Sequence, residues 1–406
     1  SLGGAIVMMS LVLYPYVYLM ARAAFLEQSV SSIEVGCSLG YSRWRAMWSL
    51  ALPMARPAII AGLSLALMET LADYGTVQYF GVSTFTTGIF RTFYGYGDTA
   101  AAAQLAASLL AFVMLLILLE RYSRRRARYH SAAESKARAD LIPLIGRNAV
   151  IAVAVCLAPL MFGFIIPATQ LLFWAVFEAE PLGWEFVSLA WNSFSLAFLA
   201  AIVAVTLAII LSYAKRTRPI KPVRTVIAMA GFGYALPGTI VAIGVLIPLA
   251  WLDHSLIALF ERLGWHSPGL ILSGSLVALL FAYTVRFLAV ALGSVQSGLE
   301  KIKPSLDHAG RSMGHSPWAI ISKIHVPLMR SSILTAVLIV FVDVLKELPA
   351  TLILRPFNFN TMAVRAYELA SDERLVDAAP ASIMIVLVGL VPVLMLHGSI
   401  ARRRPK

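Results

Sequence analysis

A chain of 406 residues that is 59% hydrophobic and only 13% charged, with a mean hydropathy of +0.80, lies outside the range of water-soluble domains. Its formal net charge of +12 invites nucleic acid as a partner, but the cations are spread through short segments between apolar runs, where membrane topology explains them. The runs are continuous and not alternating, which sets a closed β-barrel aside and predicts an all-α, polytopic transmembrane helical bundle that contacts lipid.

In chain order, the runs 2–24, 57–80, 99–119, 148–176, 188–214, 225–251, 269–293, 331–354 and 378–400 are each long enough to span a bilayer, which takes about 20 helical residues. The first has no basic leader and no small-residue cleavage site, so it does not read as a signal peptide. The basic run RYSRRRAR at 121–128 reads as a stop-transfer flank opening a cytoplasmic linker, 121–147. With 25–56 placed in the cytoplasm, 25 of the 33 Lys and Arg fall on that side and five on the other, which fixes the orientation. Cys37 lies in a polar loop and Cys156 inside a span, so neither a disulfide nor a Cys-based metal site follows.

Aligning Gly40 with Gly314, an offset of 274, matches 36–98 to 310–372 without a gap. Ser38/Ser312, Ser42/Ser316, Trp44/Trp318, Pro53/Pro327, Arg56/Arg330, Thr87/Thr361 and Arg91/Arg365 are identical, and Glu69/Asp343 and Asp73/Glu347 keep their charge. Such self-similarity predicts one unit built twice, as residues 1–120 and 148–406 on either side of the linker. The second copy has six spans and the first three. An even number per unit makes the repeats parallel, and the shortfall leads us to expect part of a longer chain with about 12 spans.

The polar segment of each copy has a short amphipathic stretch, a Gly, about a dozen residues and a hydrophobic-Pro step. Gly40 and Gly314 suit a tight turn between two short helices, and Pro53 and Pro327 the first turn of the span that follows. Trp44, Met47 and Trp48, or Trp318, Ile320 and Ile321, would give the second short helix a face for a partner's groove. An interfacial helix resting on headgroups is the alternative, and two loops in register on one membrane face favour a two-fold partner.

These residues resemble the EAA loop (E-A-A-x₃-G-x₉-I-x-L-P) of binding-protein-dependent ABC importer permeases. The Gly is Gly40 or Gly314, and the ending is Leu50, Leu52 and Pro53, or Ile324, Val326 and Pro327. The opening triplet departs from the pattern: it reads Glu34-Val35-Gly36 and then His308-Ala309-Gly310, with Asp307 expected to stand in for the missing acid. The stretches 68–89, 233–249 and 347–375 resemble the fused, double-length ferric-iron branch. The resemblance implies a type I importer permease fold in the bacterial inner membrane, with no cofactor and no enzymatic activity. It also implies two copies of a cytoplasmic ABC ATPase docked on Glu34, Gly36, Gly40, Trp44 and Pro53, and on His308, Gly310, Gly314, Trp318 and Pro327, with a periplasmic substrate-binding protein opposite. In keeping with this, the chain contains no G-x-x-x-x-G-K-[ST] phosphate loop.

Ionisable residues within spans are costly and mark function by default. Glu69 and Asp73 share a helix face, as do Asp343 and Glu347, and four carboxylates around a pathway would suit a hard cation such as Fe³⁺. The structural reading is that Lys346 or Arg286 neutralises some of them, with Asp73 and Glu347 near water at the outer span ends. Arg91, Arg365, Asp98 and Asp372 either dock the binding protein or hold paired outer loops together. His308 and His315 lack companions at metal-ligand spacing. Gly233, Pro237 and Gly238 either break a span or permit a close helix crossing.

The expectation is therefore an ATP-driven importer permease for ferric iron. Thiamine, phosphonate, sulfate and polyamine remain open as other cargoes of the same superfamily. A gradient-driven secondary transporter would have no use for two matched docking loops, and a membrane enzyme would need a clustered catalytic set that the sequence does not contain.

Overall fold

Backbone groups in lipid have no water to bond, so this chain has to close its hydrogen bonds within helices. The structure, a computed structural model, describes residues 1–27, 36–126, 144–267 and 269–401, and every regular element among them is helical. In order these are α1 (Leu2–Glu27), α2 (Arg43–Ala72), α3 (Gly75–Tyr79), α4 (Phe85–Phe90), α5 (Thr99–Arg126), α6 (Arg147–Glu178), α7 (Trp184–Thr217), α8 (Lys221–Ala230), α9 (Gly238–Arg262), α10 (Leu276–Glu300), α11 (Pro304–Ser312), α12 (Pro317–Leu328), α13 (Arg330–Leu345), α14 (Pro349–Leu354), α15 (Met362–Ser371) and α16 (Leu375–Ala401).

Seven of them, α1, α2, α5, α6, α7, α9 and α10, are uninterrupted helices long and apolar enough to cross a membrane, and α12 and α13 form a pair bent by 82° at Met329. Apolar residues such as Val150, Val153, Val155 and Phe162 on α6 are exposed, as a lipid-facing surface requires.

Three of the nine expected runs are interrupted. The run 57–80 stops at Ala72, where Asp73 leaves the helix with extended backbone. The run 225–251 splits at Gly231–Pro237 into α8 and α9, and α9 continues to Arg262. The run 331–354 breaks at Lys346–Leu348, just before Pro349. Hydropathy sums over composition and does not register a Gly, Pro or capping acid that ends a helix inside an apolar stretch. For the same reason α10 begins at Leu276 and not at 269: Ser275 caps it, its hydroxyl accepting from Val277 N.

The chain divides into two compact units, one of Ser1–Gly88 and Ala107–Gln170, the other of Ile89–Ala106 and Leu171–Lys406. In the first, α1 packs along α2 and against the π turn Met161–Ile165 of α6. In the second, α7, α10 and α13 pack against one another. Small buried residues, among them Ala197, Ala201 and Ala204 on α7, Ala278 and Ala282 on α10 and Ala336 on α13, bring these helices close.

The break before α9 wraps a buried charge. A Cβ on Gly233 would fall 1.9 Å from Val285 O, and one on Gly238 would fall 2.4 Å from both Arg286 Nη1 and Glu347 Oε1. Of the two readings offered for these small residues, both hold: the helix is broken there, and the break is pressed against α10. Gly238→Ala is expected to destabilise the purified protein by about 2 kcal/mol through overpacking, measured as a lowered melting temperature. Gly244→Ala, where a Cβ meets nothing within 4 Å, should not lower it.

Candidate functional site

The two polar loops are built by the same local hydrogen bonds. In the first, Gly40 N donates to Cys37 O (3.0 Å) and Tyr41 N to Gly36 O (3.0 Å); in the second, Gly314 N donates to Arg311 O (2.9 Å) and His315 N to Gly310 O (3.0 Å). This is the Schellman ending of a helix, and it places Gly40 at φ +86° and Gly314 at φ +78°, where side chains are disfavoured. The hydroxyls of Ser42 and Ser316 then cap the next helix, accepting from Arg45 N and Ala319 N, both at 3.2 Å. A five-residue π turn follows in each, Met47–Ala51 and Ile321–His325, with Pro53 and Pro327 standing two residues beyond. The wider turn makes room for a proline, whose ring and missing N–H do not fit a regular helix interior. The expected start of a separate span at Pro53 is thereby revised, because α2 runs unbroken from Arg43 to Ala72.

Gly36 and Gly310 let the two short helices of each loop close. A Cβ on Gly36 would sit 2.9 Å from Leu50 Cδ1, and one on Gly310 3.2 Å from both Ile320 and Ile324. Glu34 lies outside the described residues. Trp44 (68% exposed) meets Trp48 edge to face at 5.8 Å, and Arg45 lies over the Tyr41 ring. On the second loop Trp318 (64% exposed) and Met313 project, and His308 is exposed.

Two expectations for the second loop are overturned. Ile320 and Ile321 do not face a partner; they are buried in a cluster with Tyr213 of α7. Nor does Asp307 stand in for a surface acid. It is buried, with Oδ2 accepting from Arg216 Nε at 2.6 Å and Oδ1 lying 2.6 Å from His325 Nε2. Sequence reading missed Arg216 as its partner.

The four in-span carboxylates fall into two kinds. Glu69 is half-buried in the last turn of α2, and Asp343 is buried with Lys346 Nζ 3.0 Å away. Asp73 and Glu347 sit at helix breaks and bond the helix that follows. Asp73 accepts from Thr76 Oγ1 and Val77 N, both at 3.0 Å, at the start of α3. Glu347 accepts from Ala350 N (3.2 Å) at the start of α14, and Arg286 Nη1 lies 2.7 Å from each of its oxygens. Glu347 is only 5% exposed, which corrects its expected position near water. Tyr283 and Thr351 extend this buried network through a 2.6 Å hydroxyl contact. Asp73 and Glu69 belong to one unit, Asp343 and Glu347 to the other.

Sequence reading also missed Asp253, fully buried in α9, which accepts from the amides of Ile271, Leu272 and Ser273 and folds the following segment back. Of the outer-loop residues, Asp98 caps α5 through Ala101 N (2.9 Å), and Arg365 lines a recess with Glu180, Glu185, Arg374 and Asp377. Among the described residues no group of three or more His, Cys, Asp or Glu is placed to hold a metal ion, and Cys37 and Cys156 are unpaired with each other.

An all-α membrane protein with two matched, Trp-bearing loops and charged groups at broken spans has the features of a transport component. The comparisons define it further: residues 1–129 and 225–404 match the family described as binding-protein-dependent transport system inner membrane component. The chain belongs to that family, the multi-pass inner-membrane permeases of ABC importers, which are transport subunits and not enzymes. It is 26% identical over 407 residues to the Fe(3+)-transport system permease protein FbpB 2 of Haemophilus influenzae, a match covering 97% of this chain and 76% of that protein. It is 23% identical over 218 residues to PhnV of Salmonella typhimurium, a permease named for 2-aminoethylphosphonate transport, covering 53% of this chain and 76% of that one. A solved bacterial alginate ABC transporter in complex with an alginate pentasaccharide-bound periplasmic protein aligns at 15% identity with a TM-score of 0.44, over 61% of this chain and 91% of that chain.

Burial pushes the His325 imidazole below its ordinary value of 6.5, and the neighbouring Asp307 carboxylate opposes this only in part. Because the native value is the depressed one, the unfolded chain takes up the proton first. The contribution of His325 is whole above about pH 6.5 and is lost as pH falls through the native value. Thermal melts should therefore drop between about pH 7.5 and about pH 5.5, and His325→Gln should flatten that slope.

Proposed function

We propose that this permease imports ferric iron, driven by two copies of a cytoplasmic ATPase seated on the loops 34–53 and 308–327. The observation that carries the docking reading is the recurrence, at the single offset of 274, of each loop's turn bonds, serine cap, π turn, proline and exposed Trp. The family match in two stretches, one around each loop, supports a chain made of two permease repeats, 1–120 and 148–406, joined by the basic linker 121–147. In this reading Gly36, Gly40, Gly310 and Gly314 shape the loops, and Trp44 and Trp318 enter the ATPases. Glu34 and His308 flank the contact, and Pro53 and Pro327 link it to the spans. A substrate-binding protein delivers cargo at the opposite face.

Support for ferric iron as cargo comes from the relative named for Fe(3+) transport and from oxygen ligands held in the spans. Glu69 and Asp343 are the carboxylates assigned to the pathway. Asp73 and Glu347, which bond backbone at the breaks, are assigned to its shape. The phosphonate-named relative keeps an oxyanion as the second reading.

The deciding assay is accumulation of radiolabelled ferric iron by proteoliposomes containing the permease with the ATPase and binding protein of its own system, with and without ATP. ATP-dependent uptake, lowered by Glu69→Gln, is the expected result; ATP hydrolysis stimulated by loaded binding protein without iron uptake would reject the cargo. Trp44→Ala or Trp318→Ala should each weaken ATPase binding by about 2 kcal/mol, about thirtyfold in Kd, and Gly40→Pro or Gly314→Pro should abolish binding at that loop.

A further inference from the structure

A single side chain fastens the second loop to the spans. At the cytoplasmic end of α7, all three nitrogens of the Arg216 guanidinium are used: Nε donates to Asp307 Oδ2 of α11 at 2.6 Å, Nη1 to Leu299 O at 2.7 Å and Nη2 to Ile302 O at 2.8 Å. One planar side chain thus joins the end of α7, the carbonyl end of α10 and the first helix of the second loop, in the fork geometry that only Arg supplies. Its positive charge also faces the negative end of the α10 dipole. From Asp307 the connection continues to His325 in the π turn, and Tyr213, one turn before Arg216, meets the His325 ring edge to face at 5.4 Å.

Burying such charges is poor value for stability, since apolar packing of the same volume often does as well or better. What the fork does supply is a fixed geometry between three elements. Given the docking reading above, on which this rests, we propose that Arg216 is a positioning residue that passes movement of the second loop to α7 and α10.

The test is hydrogen exchange of the permease–ATPase complex with and without ATP, alongside the Kd of the ATPase. In the wild-type complex, ATP should alter exchange in the second loop and at the cytoplasmic ends of α7 and α10 together. In Arg216→Gln the loop should still respond and the ATPase should bind with unchanged Kd, while the response of α7 and α10 falls about tenfold, in the usual range for coupling between sites. Arg216→Lys keeps the charge opposite Asp307 without the fork and should fall in between, and Arg216→Gln combined with Asp307→Asn should be no worse than Arg216→Gln alone. A merely structural role would move Kd or unfold the loop and leave no such split. Wild-type responses of α7 and α10 in both Arg216 variants, or loss of ATPase binding in either, would overturn this proposal alone; failure of the wild-type permease to bind the ATPase would overturn the docking reading as well.

Discussion

A helix that breaks inside a membrane protein releases amides and carbonyls that lipid will not satisfy, and the chain has to provide replacements. After α2 and after α13 it does so in parallel fashion. An acid at the break accepts from an amide of the next short helix, Asp73 from Val77 and Glu347 from Ala350. A threonine hydroxyl takes up each acid's own carbonyl, Thr86 for Asp73 at 2.7 Å and Thr351 for Glu347 at 2.5 Å. The ionisable groups that look expensive in the sequence are thus partly the means by which the spans can be interrupted. In the second unit this requires a counter-charge, Arg286, and a glycine at 238 to leave room for the pair.

The loops obey a different constraint. They must be rigid enough to present a tryptophan, and much of their order comes from short-range bonds: a Schellman turn, a serine cap and a proline tolerated by a π turn. Rigidity within a loop says nothing about what the loop is fastened to. For the second loop that property depends on Arg216, Asp307 and His325, of which Arg216 is distant in sequence and meets the others only in the folded unit.

This difference in range explains what was legible beforehand. Spans such as α1, α6 and α7 follow from uninterrupted apolar runs, and the turns at Gly40 and Gly314 from local spacing. The breaks at 73, 231–237 and 346–348 do not show in hydropathy, which averages across them, although Gly233, Pro237 and Gly238 point to one. Ile320 and Ile321 resembled a docking face because they are apolar and lie beside Trp318; only the neighbouring Tyr213 reveals that they point inward. Asp307 reads as a surface acid for the same reason, since its partner Arg216 lies 91 residues away. For Glu347 the sequence offered two candidate cations, and the fold chose Arg286, leaving Lys346 to Asp343.

The π turns have a consequence for register. Each holds one residue more than regular α-helix would need to make the same turn, so the helix before it is offset from the helix after it by about 100°. In the first loop this offset sits between Trp44 and a span that continues without interruption to Ala72. Removing one residue from Met47–Ala51 would leave hydropathy, length and the proline almost untouched, yet it would turn the indole to a different side of the span. In relatives of this chain, insertions and deletions should therefore be rarer within these five residues than the bland sequence MWSLA suggests.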